Sequence, residues 1–271
     1  MKDALLVSLL SIAPRKTGAR GMGWFARTKA SSLLTRAFVA AYGVDLSEAT
    51  GELSSYPTLE ALFTRALRPE VRPIAPDSDA LVSPVDGRCA FAGRSVRGRI
   101  EIAPGRHLDL AALIGRSFAG ELDVAVLYLS PRDYHRVHVP REGMARSWNY
   151  KPGTLWPVFP AAVRRVDNLF ARNERLVVHV TTDGGGLDVV LVGAFGVGRI
   201  SLELADILTN TGGRATGEAL EPPVSLARGA LLGTFHLGST VVLAAEPERW
   251  RWTVAAGDVV RYGAPIGRLI R

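Results

Sequence analysis

Two β-prone runs, Leu176–Thr182 and Leu187–Val192, are separated only by Asp183-Gly184-Gly185-Gly186. A glycine-rich turn of this length between apolar runs closes a hairpin. It commits that part of the chain to antiparallel pairing, since parallel strands need a crossover of a dozen or more residues. The surrounding sequence has the same texture from about residue 80 onward. Asp123–Ser130, Thr234–Ala245 and Trp252–Ala255 read as further strands between glycine turns. The first 70 residues differ. Trp24–Tyr42 carries Leu34, Phe38 and Ala41 at helical spacing, with Gly43 placed to stop a helix. Pro57 suits a first helical turn ahead of Leu59, Leu62 and Phe63. Arg68-Pro69-Glu70-Val71-Arg72-Pro73 then breaks the pattern with two prolines. The expected fold is α+β: a helical region over residues 1–75, then a β-rich domain over 76–271 built as a mostly antiparallel barrel or sandwich.

With 47 % hydrophobic and 22 % charged residues in 271, the chain has the composition of a folded protein rather than a disordered one. Cys89 is its single cysteine, which excludes an intrachain disulfide and a multi-cysteine zinc site. The net charge of +7 favours acidic partners. Much of the imbalance lies near the start, where Lys2, Arg15, Lys16, Arg20, Arg27, Lys29 and Arg36 face one acid, Asp3. The same stretch holds an apolar run, Ala4–Ala13, interrupted by Ser8 and Ser11. That run is short of the ~20 residues a membrane-spanning helix needs. It reads as an interfacial anchor on an anionic membrane. A helix docked on the protein's own core and a signal peptide are the alternative readings. No nucleic-acid-binding motif accompanies the charge.

Three short stretches carry reactive residue types. Ser83-Pro84-Val85-Asp86-Gly87 is, taken alone, a turn. Tyr134-His135-Arg136-Val137-His138-Val139-Pro140 places two histidines three apart. Zinc needs three or four ligands and no cysteine is near, so a metal is a poor reading and no metal is expected. General acid–base work suits histidine better. On a regular strand the two rings would point to opposite faces, and a plain pair of surface histidines is the other reading. In Phe235-His236-Leu237-Gly238-Ser239-Thr240-Val241-Val242, a Gly-Ser-Thr interrupts an apolar run. It reads either as a β-bulge or as a place where another group approaches the backbone. The Gly-x-Ser-x-Gly elbow of α/β-hydrolases is absent.

Together these stretches resemble the phosphatidylserine decarboxylase family. Asn168-Leu169-Phe170-Ala171-Arg172-Asn173-Glu174-Arg175 and Leu62-Phe63-Thr64-Arg65 leading to Leu67-Arg68-Pro69 match further family signatures. The likeness runs from the N-terminal helices to about residue 245 and is nearest the longer, membrane-associated type. It implies a proenzyme cleaved between Gly238 and Ser239 into a large chain, 1–238, and a small chain, 239–271. It assigns Asp86, His138 and Ser239 to a protease-like triad, with His138 the base and Asp86 its orienter. Ser239 would become a pyruvoyl group, which forms a Schiff base with phosphatidylserine and releases CO2 to give phosphatidylethanolamine. His135 is the candidate proton donor. No external cofactor is implied. The resemblance also implies a homodimer and a peripheral place on the cytoplasmic face of the cell's inner membrane. Leu155, Trp156, Val158 and Phe159 form an apolar stretch that is either an exposed lipid-contacting loop or one tucked into the core. Here Phe159-Pro160-Ala161 departs from the polar, histidine-containing segment the family has at this place. Two rival readings are a pyruvoyl-dependent decarboxylase of another amino-group substrate and an inactive membrane-binding relative.

Overall fold

The computed structural model describes residues 15–196, 198–236 and 239–271. The apolar run Ala4–Ala13 and Gly238 therefore lie outside the described residues. Among the described residues, helical elements run from Arg15 to Val71 and strands begin at Ala80. Every ladder between the strands is antiparallel.

The region expected as one helix over Trp24–Tyr42 is three pieces: a helix Arg15–Ala26, a 3-10 turn Lys29–Leu34 and a helix Thr35–Tyr42. Thr28 is extended, and the hydroxyls of Thr28, Ser31, Ser32 and Thr35 all donate to nearby main-chain carbonyls. Short hydroxyl side chains compete with the helical ladder in this way. Gly43 does end the last helix, in the left-handed conformation at φ 65°. The next helix, Leu59–Phe63, is capped by Thr58, whose Oγ1 accepts from the Ala61 N–H at 3.1 Å. Pro57 precedes that cap instead of opening the helix. Ser31 Oγ accepts the Leu59 N–H at 2.9 Å and ties the two helical segments together.

The β-rich part is built on an eight-stranded sheet. Its order is Thr216–Leu226, Gly143–Lys151, Arg175–Thr182, Gly185–Gly193, Ser239–Ala245, Asp123–Leu129, Gly87–Arg94 and Val259–Val260. The expected hairpin is present with a tighter turn. Thr182 pairs with Gly185, so Asp183 and Gly184 alone make the loop and the other two glycines join the second strand. Trp250–Trp252 is the strand read as Trp252–Ala255. It lies in a three-stranded sheet with Ala80–Val82 and Pro265–Leu269. A four-stranded sheet runs Ala205–Leu208, Ile200–Leu202, Leu231–Phe235, Arg136–His138. None of these sheets closes into a barrel.

The large sheet is covered on both faces. Leu127, Leu129, Val241 and Leu243 share one core cluster with Val137, Phe235, Leu81 and Ile266 of the smaller sheets. Val126, Val242 and Val190, on the opposite face, pack with Leu110, Leu113, Val163 and Phe170 from short helices. All seven residues of Ser239–Ala245 are buried, which is why Val241–Ala245 is continuously apolar rather than alternating. The expected single strand Thr234–Ala245 is in fact two strands in different sheets, Leu231–Phe235 and Ser239–Ala245. Its β-prone sequence continues across a point where the chain changes sheets.

The N-terminal helix Arg15–Ala26 docks on this core by charge. Lys16 Nζ lies 3.3 Å from the fully buried Glu174 carboxylate, and Arg20 Nε donates to the Asn210 carbonyl at 3.3 Å. No helix among the described residues is long and apolar enough to cross a membrane.

Candidate active site

Ser239 is the first residue of its strand and is fully buried. It is held from both sides, opposite Leu129 on one neighbour and Gly193 on the other. Side chains alternate along a strand, so its hydroxyl lies on the face of Leu129 and Val241, toward the four-stranded sheet. Its Oγ has no hydrogen-bond partner among the described residues. A buried hydroxyl without a partner is costly and calls for an explanation.

The signature Asn168–Arg175 fixes Gly193 and thereby Ser239. The Asn173 side chain donates to the carbonyls of Trp156 and Gly193 and accepts from the Trp156 N–H, all at 2.8–2.9 Å. The Gly193 N–H donates to the Glu174 carbonyl at 2.8 Å. This stitching pulls Leu155, Trp156 and Val158 inward. All three are buried, so the stretch is packed into the core rather than exposed for lipid.

The two histidines sit in different surroundings. His135 is fully buried, its ring 3.9 Å from that of Phe63 between centroids. Its Nδ1 is 2.8 Å from the Asp133 carbonyl. A carbonyl only accepts, so Nδ1 carries the proton and the Nε2 lone pair is bare; Nε2 has no partner among the described residues. Burial pushes His135 down to about 3 against the help of that carbonyl, with the Arg65 charge adding to the drop.

His138 lies at the end of the strand Arg136–His138. Its Nδ1 donates to the Gly229 carbonyl at 2.9 Å, so its Nε2 accepts from the Tyr134 hydroxyl at 3.0 Å. The ring is stacked on Tyr262, centroids 3.7 Å apart. Burial lowers it to about 4, with the Gly229 carbonyl and Asp86 opposing and Arg136 assisting. Both histidines are therefore neutral at neutral pH.

Asp86 is brought close to His138 without bonding it. The His138 N–H donates to the Pro84 carbonyl at 2.9 Å, which joins the two motifs through the main chain. The Asp86 carboxylate instead receives Arg72 Nε at 3.0 Å and Nη2 at 2.6 Å, and the Tyr262 N–H at 2.8 Å. Arg72 also grips Glu48, at 3.0 and 2.6 Å. Burial works against the Arg72 charge, but these carboxylates outweigh it and raise the guanidinium above its ordinary value. The Asp86–His138 hydrogen bond of a conventional triad is thus absent, and Tyr262 connects the pair.

Nothing in the sequence marks Arg72, Tyr262 or Gly229 as a site residue. Arg72 lies in the Arg-Pro break already singled out, whereas Tyr262 is more than a hundred residues from His138 and carries no local signal. A cavity of about 290 Å³ opens beside Asp86, lined by Arg65, Arg72, Arg132, Tyr134 and Arg261 among others. Among the described residues no group of His, Cys, Asp and Glu side chains could hold a metal ion.

The family model for phosphatidylserine decarboxylase matches residues 59–268. A phosphatidylserine decarboxylase proenzyme of Anaeromyxobacter sp. (strain K) is 42% identical over 281 residues, covering 98% of this chain and 99% of its own. Proenzymes of the same name from Myxococcus xanthus (strain DK1622) and Nitrosococcus oceani are 37% and 40% identical. They cover 98% and 100% of this chain and 99% and 93% of their own.

Proposed function

The chain belongs to the phosphatidylserine decarboxylase family, and from that premise we propose that it cuts itself between Gly238 and Ser239 to carry a pyruvoyl group at 239. It is a decarboxylase of the proenzyme type, with phosphatidylserine as the substrate the family acts on. The observation that carries the proposal is the Ser239 hydroxyl, buried and without a hydrogen-bond partner among the described residues where the chain passes from one sheet to another. A hydroxyl not committed to a neighbouring carbonyl is available as a nucleophile.

His138 serves as the base. Its Nδ1–H is committed to Gly229, which fixes the tautomer that leaves Nε2 able to take a proton. The Tyr134 hydroxyl lies on that lone pair, so the proton from Ser239 passes through it or displaces it. Asp86 acts at one remove, holding the Tyr262 backbone while the Tyr262 ring lies on the imidazole. Attack of Oγ on the Gly238 carbonyl carbon forms a C–O bond and breaks the peptide C–N bond, giving an ester. Loss of the Ser239 α-proton then breaks the Cβ–O bond. The large chain, 1–238, leaves with a carboxylate, and dehydroalanine remains at the head of 239–271. Water converts it to the keto group and ammonia.

The site fits a group formed in place, because the strand partners on both sides of Ser239 keep the small chain seated after the cut. The pyruvoyl supplies the electron sink for decarboxylation. His135 is the candidate to carry a proton at Nε2. It is neutral in its apolar pocket, and an arriving carboxylate raises the affinity of such a ring for protons.

The helix Arg15–Ala26 supports the membrane reading. It buries Ala19, Gly23 and Ala26 on one face and turns Met22, Trp24 and Phe25 outward, Trp24 being 65 % exposed. Leu33 follows at 83 %. Large apolar residues outside and small ones inside invert the usual burial and, among basic residues, suit an anionic bilayer surface. A peripheral site on the cytoplasmic face of the inner membrane and a homodimeric state complete the proposal.

Intact-mass measurement tests the core of it. The expected products are residues 1–238 and a chain starting at 239 that lacks a free amine. An unbroken chain that still decarboxylates phosphatidylserine would overturn it.

A further inference from the structure

The strand Leu231–Phe235 ends just before His236, the last described residue ahead of Gly238. The His236 side chain is fully engaged. Its Nδ1 is 2.8 Å from Glu60 Oε1 and its Nε2 is 3.2 Å from Ser201 Oγ. Arg199 Nη1 adds a second contact to the same Glu60 oxygen at 3.2 Å. The main chain is held as well, with the Phe235 N–H on the His135 carbonyl and the His236 N–H on the Arg199 carbonyl, both at 2.9 Å. Burial raises the Glu60 carboxyl, but the hydrogen bond and charge of His236 and the charges of Arg199 and Arg27 hold it below its usual range.

Glu60 lies on the helix Leu59–Phe63, and Phe63 is three residues further along the same face. Phe63 is the residue whose ring packs, tilted, against that of His135. One helical turn of the N-terminal region therefore grips both His135 and the segment leading into the cleavage point.

We propose that Glu60 is a positioning residue for self-cleavage, latching His236 so that the Gly238 carbonyl is presented to Ser239. The latch rests on the self-cleavage reading above and adds to it a determinant outside the Asp86, His138 and Ser239 set. Its physical basis is short tethering: only Leu237 separates His236 from Gly238, so releasing the imidazole removes the side-chain anchor nearest that carbonyl and leaves the main-chain bonds of Phe235 and His236 to hold it. A misplacement of about 1 Å at a reacting centre costs roughly 100-fold in rate. After the cut the same contacts hold the end of the large chain in place.

The test follows cleavage of freshly synthesised full-length precursor over time on denaturing gels, with product masses. Glu60→Ala and His236→Ala should each slow cleavage by about tenfold or more. The double variant should be no slower than either one, because both break the same contact. Glu60→Gln, which keeps an acceptor of the same size, should retain most of the rate. Each variant is also melted in an uncut Ser239→Ala background, and its cleavage is measured well below its melting point. Wild-type rates in both single variants, strictly multiplicative slowing in the double variant, or slowing that disappears in that stable range would overturn the latch. A wild-type chain that never yields 1–238 and 239–271 would instead remove the self-cleavage reading itself.

Discussion

Tyr262 lies flat on His138, with ring centroids 3.7 Å apart and an 18° angle between planes, while its own N–H is held by Asp86 at 2.8 Å. Asp86 thus reaches His138 through a tyrosine rather than by direct contact. Tyr262→Ala should slow self-cleavage by roughly 10- to 100-fold, by releasing the imidazole. Tyr262→Phe loses only the hydroxyl bond to the Gly229 carbonyl and should stay within about tenfold of wild type. Cleavage half-times on denaturing gels check both, and equal rates for the two variants would refute a stacking role.

Arg72 joins Asp86 and Glu48 in a nearly buried network. Arg72→Ala leaves the Asp86 carboxylate without its cation and Glu48 with Arg261 alone, and should destabilise the uncut Ser239→Ala chain by about 3 kcal/mol in urea unfolding. Arg72→Lys should recover only part of this, since a lysine cannot make the forked contact with both acids.

Acid should weaken the fold through its histidines. His135 and His138 fall from the ordinary 6.5 to about 3 and about 4 in the folded chain. The unfolded chain therefore takes up these protons first, and stability declines as pH drops below about 6.5 toward 4. Above 6.5 both states are neutral and the contribution is flat. Melting temperatures of the Ser239→Ala chain across this range should show the decline, and His138→Ala should reduce its slope. The acidic limb of self-cleavage should likewise lie near pH 4, not near 6.5.

His135→Ala should still cut itself but decarboxylate poorly, by about 10²- to 10⁴-fold, as expected for loss of a proton carrier. Mass analysis establishes the cut and CO2 release measures the turnover. Full turnover would exclude the role.

The outward aromatic residues predict the vesicle behaviour. Replacing Trp24 and Phe25 together by Ala should weaken binding to anionic vesicles by at least about tenfold without lowering the melting temperature, because both are exposed. Raising the salt should weaken wild-type binding further through the exposed Arg27, Lys29 and Arg36. Unchanged sedimentation with vesicles would place the contact elsewhere.

The sequence by itself determined whatever depends on neighbouring residues: the Asp183-Gly184 hairpin, the stop at Gly43, the two prolines after Arg68, and motifs as compact as Leu237-Gly238-Ser239-Thr240. Local backbone preference and a short run of side chains are enough for these. Tertiary structure alone decided where the apolar run from Thr234 to Ala245 divides between two sheets, because β preference is the same on either side of the break. It also decided that Leu155, Trp156 and Val158 are core, since hydrophobicity does not say which surface buries it. Tyr262, Arg72 and Glu60 reach their partners His138, Asp86 and His236 across 124, 14 and 176 positions of chain. Contacts of that kind leave no periodic trace in the sequence; they exist only once the sheets and the N-terminal helices have packed.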